Sequence, residues 1–308
     1  MSKGGVSRAA SVGLLGFMVV GCVPQPGGSP PSRAAPVHPV QPAPTHQKPA
    51  TAHEISLTGS ARQGGVMIGH APPGTRMLQF DGRPVPVARD GSFLIAFDRD
   101  APPAATLVAF GQDGSETRRS LSVAPGDWPI EHVNASITGG VTTAEFKQRR
   151  AIEVQRIAAA REGMKPNSSE GWRQEFVWPI VARISGRFGA QRVYRGTPGS
   201  YHSGVDLAAA QGTTYVAPAD GVVVLAATVP YTLEGNLLII DHGMGLNSAF
   251  LHSQRLLVKE GDMVRRGQPI GIVGATGRAT GPHLHWGMKW QDARLDPVTM
   301  VKLDATGR

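Results

Sequence analysis

The sequence predicts a mainly β protein: a small N-terminal β-sandwich domain, a linker helix and a C-terminal antiparallel β-sheet domain. Three patterns carry that prediction. Short apolar and β-branched runs, bounded by Gly, Pro and Asp, fill two long stretches of the chain. One run between them has helical spacing with start and stop signals. Upstream of both, the composition is too rich in Pro, Ala, Gly, Ser and Gln to bury a core.

Residues 1–21 read as a lipoprotein signal peptide. Lys3 and Arg8 form a basic start, Ala9 to Val20 is an apolar stretch too short to span a bilayer as a mature helix, and Val19-Val20-Gly21-Cys22 resembles a bacterial lipobox. Cys22 is the sole cysteine of 308 residues, so no disulfide can form within one chain, and its expected role is lipidation. The competing expectation is a plain secretory peptide with a bystander cysteine. Val23, where some lipoproteins carry a retaining aspartate, tilts the expected destination toward the outer membrane. Residues 22–53 are expected to be a Pro-rich disordered tether, which at roughly 3 Å per residue could hold the folded part several tens of ångströms from the lipid.

Residues 54–125 are expected to form the small β-sandwich. Runs such as Arg76 to Phe80, Ser92 to Phe97 and Thr106 to Phe110 are broken by Asp81-Gly82, Asp90-Gly91 and Asp113-Gly114, which are hairpin signals. No catalytic constellation is visible there, and its ligand or partner is left open. Residues 126–177 read as a linker with a helix at about 142–162, opened by Thr142-Thr-Ala-Glu145 at capping-box spacing and closed near Gly163. Phe146, Val154, Ile157 and Ala158 can share one stripe, which suits a packing helix; a lid over a neighbouring groove is the rival reading. Trp172, Phe176 and Trp178 read as hydrophobic anchors. Residues 178–308 alternate strand runs, such as Gly221 to Ala227 and Asn236 to Ile240, with a glycine-dense stretch from Gly261 to Gly274, as a compact antiparallel sheet with a groove requires.

Lys and Arg exceed Asp and Glu by 31 to 23, for a net charge of +8, which favours anionic polymers as partners. The basic residues form no recognisable nucleic-acid motif, and an exported chain seldom meets DNA, so nucleic acid is not an expected partner. With 41% hydrophobic residues the chain can build two modest cores and a tether.

The chemistry concentrates in His202-Ser-Gly-Val-Asp206 and His283-Leu-His285. Together they can supply two imidazoles and one carboxylate to zinc, with another histidine spare for proton transfer, which points to a metal hydrolase. In a strand His283 and His285 face the same side, although both need not bind metal. The spacing of His202 and Asp206 fits one helical face or a strand meeting a loop, and does not choose. His242, in the turn-like run Asp241-His-Gly-Met-Gly245, reads as a turn residue rather than a ligand.

About residues 178 to 300 resemble the lysostaphin-like or LytM-type zinc endopeptidases of peptidoglycan. The resemblance runs through Ser185-Gly-Arg-Phe-Gly189, the first metal motif, Gly212 to Gly221, Gly235-Asn236, Ile240-Asp-His-Gly243, Phe250-Leu-His252, Gly261-Asp262, Gly267-Gln268, Gly274-Ala-Thr-Gly277 and Thr280-Gly-Pro-His-Leu-His285. It implies that His202, Asp206 and His285 hold one zinc ion per chain, with His252 and His283 as catalytic histidines beside it. It also implies peptidoglycan as substrate; the lipobox adds an expected bacterial envelope location on the periplasmic face with a membrane anchor at Cys22, and a regulatory protein partner is left open. The alternative is a non-catalytic or latent wall-hydrolase regulator, an amidase activator that binds peptidoglycan. The full ligand set favours the enzyme over a non-catalytic binder, because some relatives that only bind have lost metal ligands; an enzyme held latent by its N-terminal part is compatible with the same set.

Overall fold

A computed structural model of the chain describes residues 54–135, 143–227 and 229–301. The expected signal peptide, the Cys22 lipidation site and the tether lie outside the described residues. The protein is mainly β, with a β-sheet domain toward the C-terminus. Among the described residues no helix is long and apolar enough to cross a membrane.

The first strands are β1 (Ser56–Gly59), β2 (Val66–His70), β3 (Thr75–Phe80) and β4 (Arg83–Val85), followed by β5 (Ser92–Ala96), β6 (Ala104–Gly111) and β7 (Glu116–Ser122). They form a three-stranded sheet, β1-β2-β5, and a four-stranded sheet, β4-β3-β6-β7. Asp81 and Gly82 turn β3 into β4 with both φ angles positive, 49° and 78°, the combination that an Asp-Gly hairpin tolerates. Leu78, Phe93, Ile95 and Leu107 bury the facing side chains.

The stretch expected as a linker contains β8 (Ile130–Val133), which pairs in parallel with β10 (Gln191–Tyr194), Ile130 opposite Gln191. Just upstream, Trp128 packs edge-on against Phe188, ring centroids 5.4 Å apart. A side chain on Gly64 or Gly189 would collide with this indole, a Cβ falling 2.9 Å and 2.3 Å from it. These contacts join the expected two cores into one: the apolar cluster runs without a break from Leu78 and Phe93 through Phe188 to Trp286 and Leu295.

Helix α1 (Ala144–Glu162) starts from Thr143, whose hydroxyl accepts the N–H of Phe146, and ends at Gly163. Glu145 therefore stands one residue short of the position from which a capping box reaches back to its cap. The expected apolar stripe is also corrected. Val154 is 48% exposed and Ala158 is exposed, while the face turned to the protein carries Arg150, buried Glu153, Ile157 and Ala160. Charge pairing replaces apolar burial there: Glu153 accepts from the backbone and hydroxyl of Thr232, at 2.8 Å and 2.6 Å, and Arg150 holds Glu234 through both terminal nitrogens. After the helix, Trp172 and Phe176 are buried anchors and Trp178 packs on Trp286.

The remaining strands are β9 (Arg183–Gly186), β10, β11 (Thr197–Pro198), β12 (Gly204–Ala208), β13 (Thr214–Val216), β14 (Gly221–Ala226) and β15 (Asn236–Gly243). They continue as β16 (Leu246–Ser253), β17 (Arg255–Leu256), β18 (Met263–Val264), β19 (Pro269–Ile272), β20 (Leu284–Trp290) and β21 (Ala293–Leu295). The large sheet has the order β18-β14-β15-β16-β20-β12-β9, with β21 also on β20 and antiparallel neighbours throughout. Alternation along β20 sends Trp286, Met288 and Trp290 into the core and leaves His285, Gly287 and Lys289 on the other face.

Candidate metal centre

The site is written into strand register. Asp206 on β12 lies opposite His285 on β20, and His285 lies opposite Leu251 on β16. His202 sits in the loop just before β12, so the four-residue spacing to Asp206 is that of a loop entering a strand. His283 precedes β20, bridged to Gly274, and shares the face of His285. His252 lies near the end of β16 with φ at +65°, a conformation unusual for a side-chain-bearing residue and held here by the bond from its N–H to the Glu234 carbonyl, 2.8 Å.

Three of these side chains converge on one point. His202 Nε2 is 3.0 Å from Asp206 Oδ1 and 3.0 Å from His285 Nδ1, and His285 Nδ1 is 2.9 Å from the same oxygen. His202, Asp206 and His285 can together hold a metal ion. His283 Nε2 stands 3.7 Å from Asp206 Oδ1, and the His252 ring centroid is 4.9 Å from that of His283.

Backbone carbonyls set the tautomers. Nδ1 of His202 donates to the Arg187 carbonyl at 3.0 Å, that of His252 to Thr276 at 2.9 Å and that of His283 to Gly281 at 2.8 Å. Each ring nitrogen so engaged leaves Nε2 with a lone pair on the other side, as metal ligands and proton acceptors need. A lone pair of His202 aimed at a carboxylate oxygen 3.0 Å away calls for positive charge between them. Burial raises the Asp206 carboxyl, and the bonds to His202 and His285 outweigh it, holding the group well below the usual carboxylate range. Burial lowers His202, but the same partner reverses the balance and its affinity for a proton rises. The pocket therefore favours a cation, whether proton or metal ion. Burial depresses His252 and His285, which keeps both imidazoles neutral at ordinary pH.

Two glycines clear the space. A Cβ on Gly186 would fall 2.3 Å from Asp206 Oδ2, and one on Gly204 would fall 2.7 Å from His285 Nε2. Neither the two glycines nor the orienting carbonyls of Arg187, Thr276 and Gly281 carry a chemical signature of their own; what marks them in the sequence is their place within the family-like motifs. In the segment just before the first metal motif, Arg192 pairs with Glu131 at 2.7 Å and Arg195 binds Asn134 at 3.3 Å, both on the β8 side, while Tyr201 packs against Phe188 and Arg99.

His242 is not in the cluster. It lies on β15, fully buried, with Nδ1 donating to the Asp220 carbonyl at 2.8 Å and Nε2 accepting from Ser248 Oγ at 2.9 Å. The expected turn residue is a core histidine with both nitrogens used.

An antiparallel sheet that presents two imidazoles and a carboxylate to one point, with two further imidazoles beside it, has the donor set of hydrolytic metal sites. Residues 200–297 match the family model for peptidase family M23, and this part of the chain is an M23 peptidase domain. The chain is 44% identical over 105 residues to the peptidoglycan DD-endopeptidase ShyA of Vibrio cholerae, covering 34% of this chain and 24% of that one. It is 38% identical over 126 residues to the DD-carboxypeptidase/endopeptidase Mpg of Neisseria meningitidis, covering 40% and 28%. The chain thus spans about a quarter of the length of these curated relatives. A crystal structure of an M23 peptidase from Pseudomonas aeruginosa superimposes with a TM-score of 0.62 at 28% identity, covering 79% of this chain and 96% of that one. That likeness extends well upstream of the M23 match.

Proposed function

We propose that the protein is a zinc-dependent endopeptidase that hydrolyses peptide bonds in peptidoglycan stems or cross-links. The observation that carries the reading is the meeting of His202 Nε2, Asp206 Oδ1 and His285 Nδ1 within 3.0 Å of one another, with the tautomer of His202 set by a carbonyl behind it. The three fit zinc by donor chemistry, two neutral imidazoles and one ionised carboxylate, and by the space that Gly186 leaves beside Asp206. When bound there, zinc supplies Lewis acidity that polarises a peptide carbonyl and acidifies a water molecule. His252 and His283 present Nε2 beside that point. Each can take the proton of an attacking water, return it to the leaving amine nitrogen or donate to the developing oxyanion, and burial keeps His252 neutral and ready to accept. Relatives named as peptidoglycan endopeptidases support the substrate class. A cell-envelope location follows from that substrate, with lipid attachment at Cys22 as part of the same proposal.

The complete set of His202, Asp206, His252, His283 and His285 favours an enzyme over a regulator that only binds the wall. The test incubates the protein with purified sacculi, with and without a zinc chelator, and identifies released muropeptides by mass spectrometry. New cross-link or stem products are expected that vanish with chelator and with His285→Ala; no products from folded, zinc-loaded protein would overturn the reading.

A further inference from the structure

The groove face of the large sheet continues past the metal centre. From His285, β20 runs through Gly287 to Lys289 on the same face, a separation of about 13 Å at strand rise. Gly287 keeps the floor between them bare. Helix α1, packed over β14, β15 and β16, walls a cavity of about 300 Å³ beside this strip that reaches from Ser203 and His285 to Lys289 and Arg294. At its near end the cavity meets the metal centre through His285, which lines its wall. At the far end three cations meet: Arg161 from the last turn of the helix, Lys289 from the floor and Arg294 from β21.

These cations are poorly neutralised. Among the described residues no ion pair ties Arg161, Lys289 or Arg294 to a carboxylate; Arg161 reaches only the amide oxygen of Asn247, at 3.3 Å, and Arg294 the hydroxyl of Tyr201, at 3.4 Å. The nearby acids are engaged elsewhere. Glu234 is held by Arg150, Asp292 by Arg83, and Asp98 accepts the backbone N–H of Arg294. Burial lowers the affinity of both Arg161 and Lys289 for a proton, and each is further disfavoured by another member of the cluster. Packing like charges along a groove wall is unfavourable unless an anion joins them.

We propose that Lys289, Arg161 and Arg294 form a carboxylate-binding subsite that anchors a free carboxylate of the peptide substrate about four extended residues from the bond to be cut. The proposal rests on the peptidase reading and adds a specificity determinant to it. The subsite selects acidic peptide stems over amidated ones, and it explains why a helix with so little apolar surface is docked over the sheet: its last turn supplies Arg161.

The experiment measures kcat and KM of the zinc-loaded full-length chain on cross-linked muropeptides with free carboxylates and on the same muropeptides amidated, with calorimetric Kd values for both forms. The wild type is expected to favour the free carboxylate by about tenfold in KM and Kd at similar kcat, the effect of one charge-assisted contact. Lys289→Gln abolishes the preference and Lys289→Arg keeps it, with thermal melts matching the wild type; Arg161→Gln weakens it. Equal Kd and KM for the two forms in the wild type, or a preference that survives Lys289→Gln combined with Arg161→Gln, overturns the subsite and leaves the peptidase reading intact if both forms are cut. Binding preference lost in Lys289→Gln, with neither form cut, keeps the subsite and overturns the peptidase reading. Failure of both forms to bind overturns both.

Discussion

On the core face of the large sheet, His242 is sealed under Phe176 and tied to the Asp220 carbonyl and to Ser248, which in turn accepts the indole N–H of Trp286 at 3.2 Å. On the groove face, one residue along β20 from Trp286, His285 meets His202 and Asp206 with ring nitrogens that no carbonyl has claimed on the cluster side. Both clusters draw on β16 and β20, the core one through Ser248 and Trp286 and the groove one through His252 and His285. What separates them is saturation: in the core both nitrogens of His242 have fixed partners, and on the groove face a backbone carbonyl fixes one nitrogen of His202, His252 and His283 so that the other is kept available. A buried histidine with both nitrogens spent stabilises a fold, and one with a single nitrogen spent is poised for a ligand or a proton.

The sharpest way to break this contrast is His252→Ala. Loss of a positioned proton acceptor is expected to lower kcat by about 10²- to 10⁴-fold while bound zinc, read by elemental analysis, stays at one per chain. An unchanged kcat would place His252 with His242 as a structural residue.

The core cluster predicts a pH effect of its own. Burial pushes the His242 imidazole down to about 4 from an unfolded value near 6.5, so the unfolded chain binds the extra proton between those values. Stability is therefore full above about pH 6.5 and falls as pH drops toward 4, by about 3 kcal/mol in total. Denaturant melts across this range should show the slope, and His242→Gln should flatten it even though the variant is less stable throughout.

Gly186→Ala sharpens the groove side without touching a donor. Its Cβ would fall 2.3 Å from Asp206 Oδ2, and displacing that carboxylate is expected to weaken zinc affinity by about 10- to 100-fold, the range for disturbed support of a ligand. Competition with a fluorescent chelator measures it; unchanged affinity would mean that Asp206 is not held in place for metal. The smallest effect is expected away from both clusters. Arg156 and Glu260 pair at 2.8 Å with half-exposed side chains, and Arg156→Ala should change stability by less than about 1 kcal/mol.

Much of this architecture could be read from the residues. The Asp-Gly hairpin of β3 and β4, the strand runs of the large sheet, the helix ending at Gly163 and the joint placement of His283 and His285 all depend on local spacing. The misreadings share a cause. The stripe of Phe146, Val154, Ile157 and Ala158 misplaced the docked face of the helix because Thr232, the partner that holds buried Glu153, arrives from the loop before β15. The stretch around Ile130 looked like a linker because its partner strand, β10, is about sixty residues on and parallel, a pairing no local alternation announces.

Chemistry and spacing along the chain were enough to establish a mainly β protein and the residue types a zinc centre needs, because alternation, turn propensity and donor identity are properties of neighbours in sequence. Tertiary structure alone decided which of the histidines meet, which nitrogen each one offers, that the two β regions share one core and that Arg161 faces Lys289. Those outcomes turn on strand register and backbone carbonyls contributed from distant segments, where a shift of one residue would send every side chain to the opposite face.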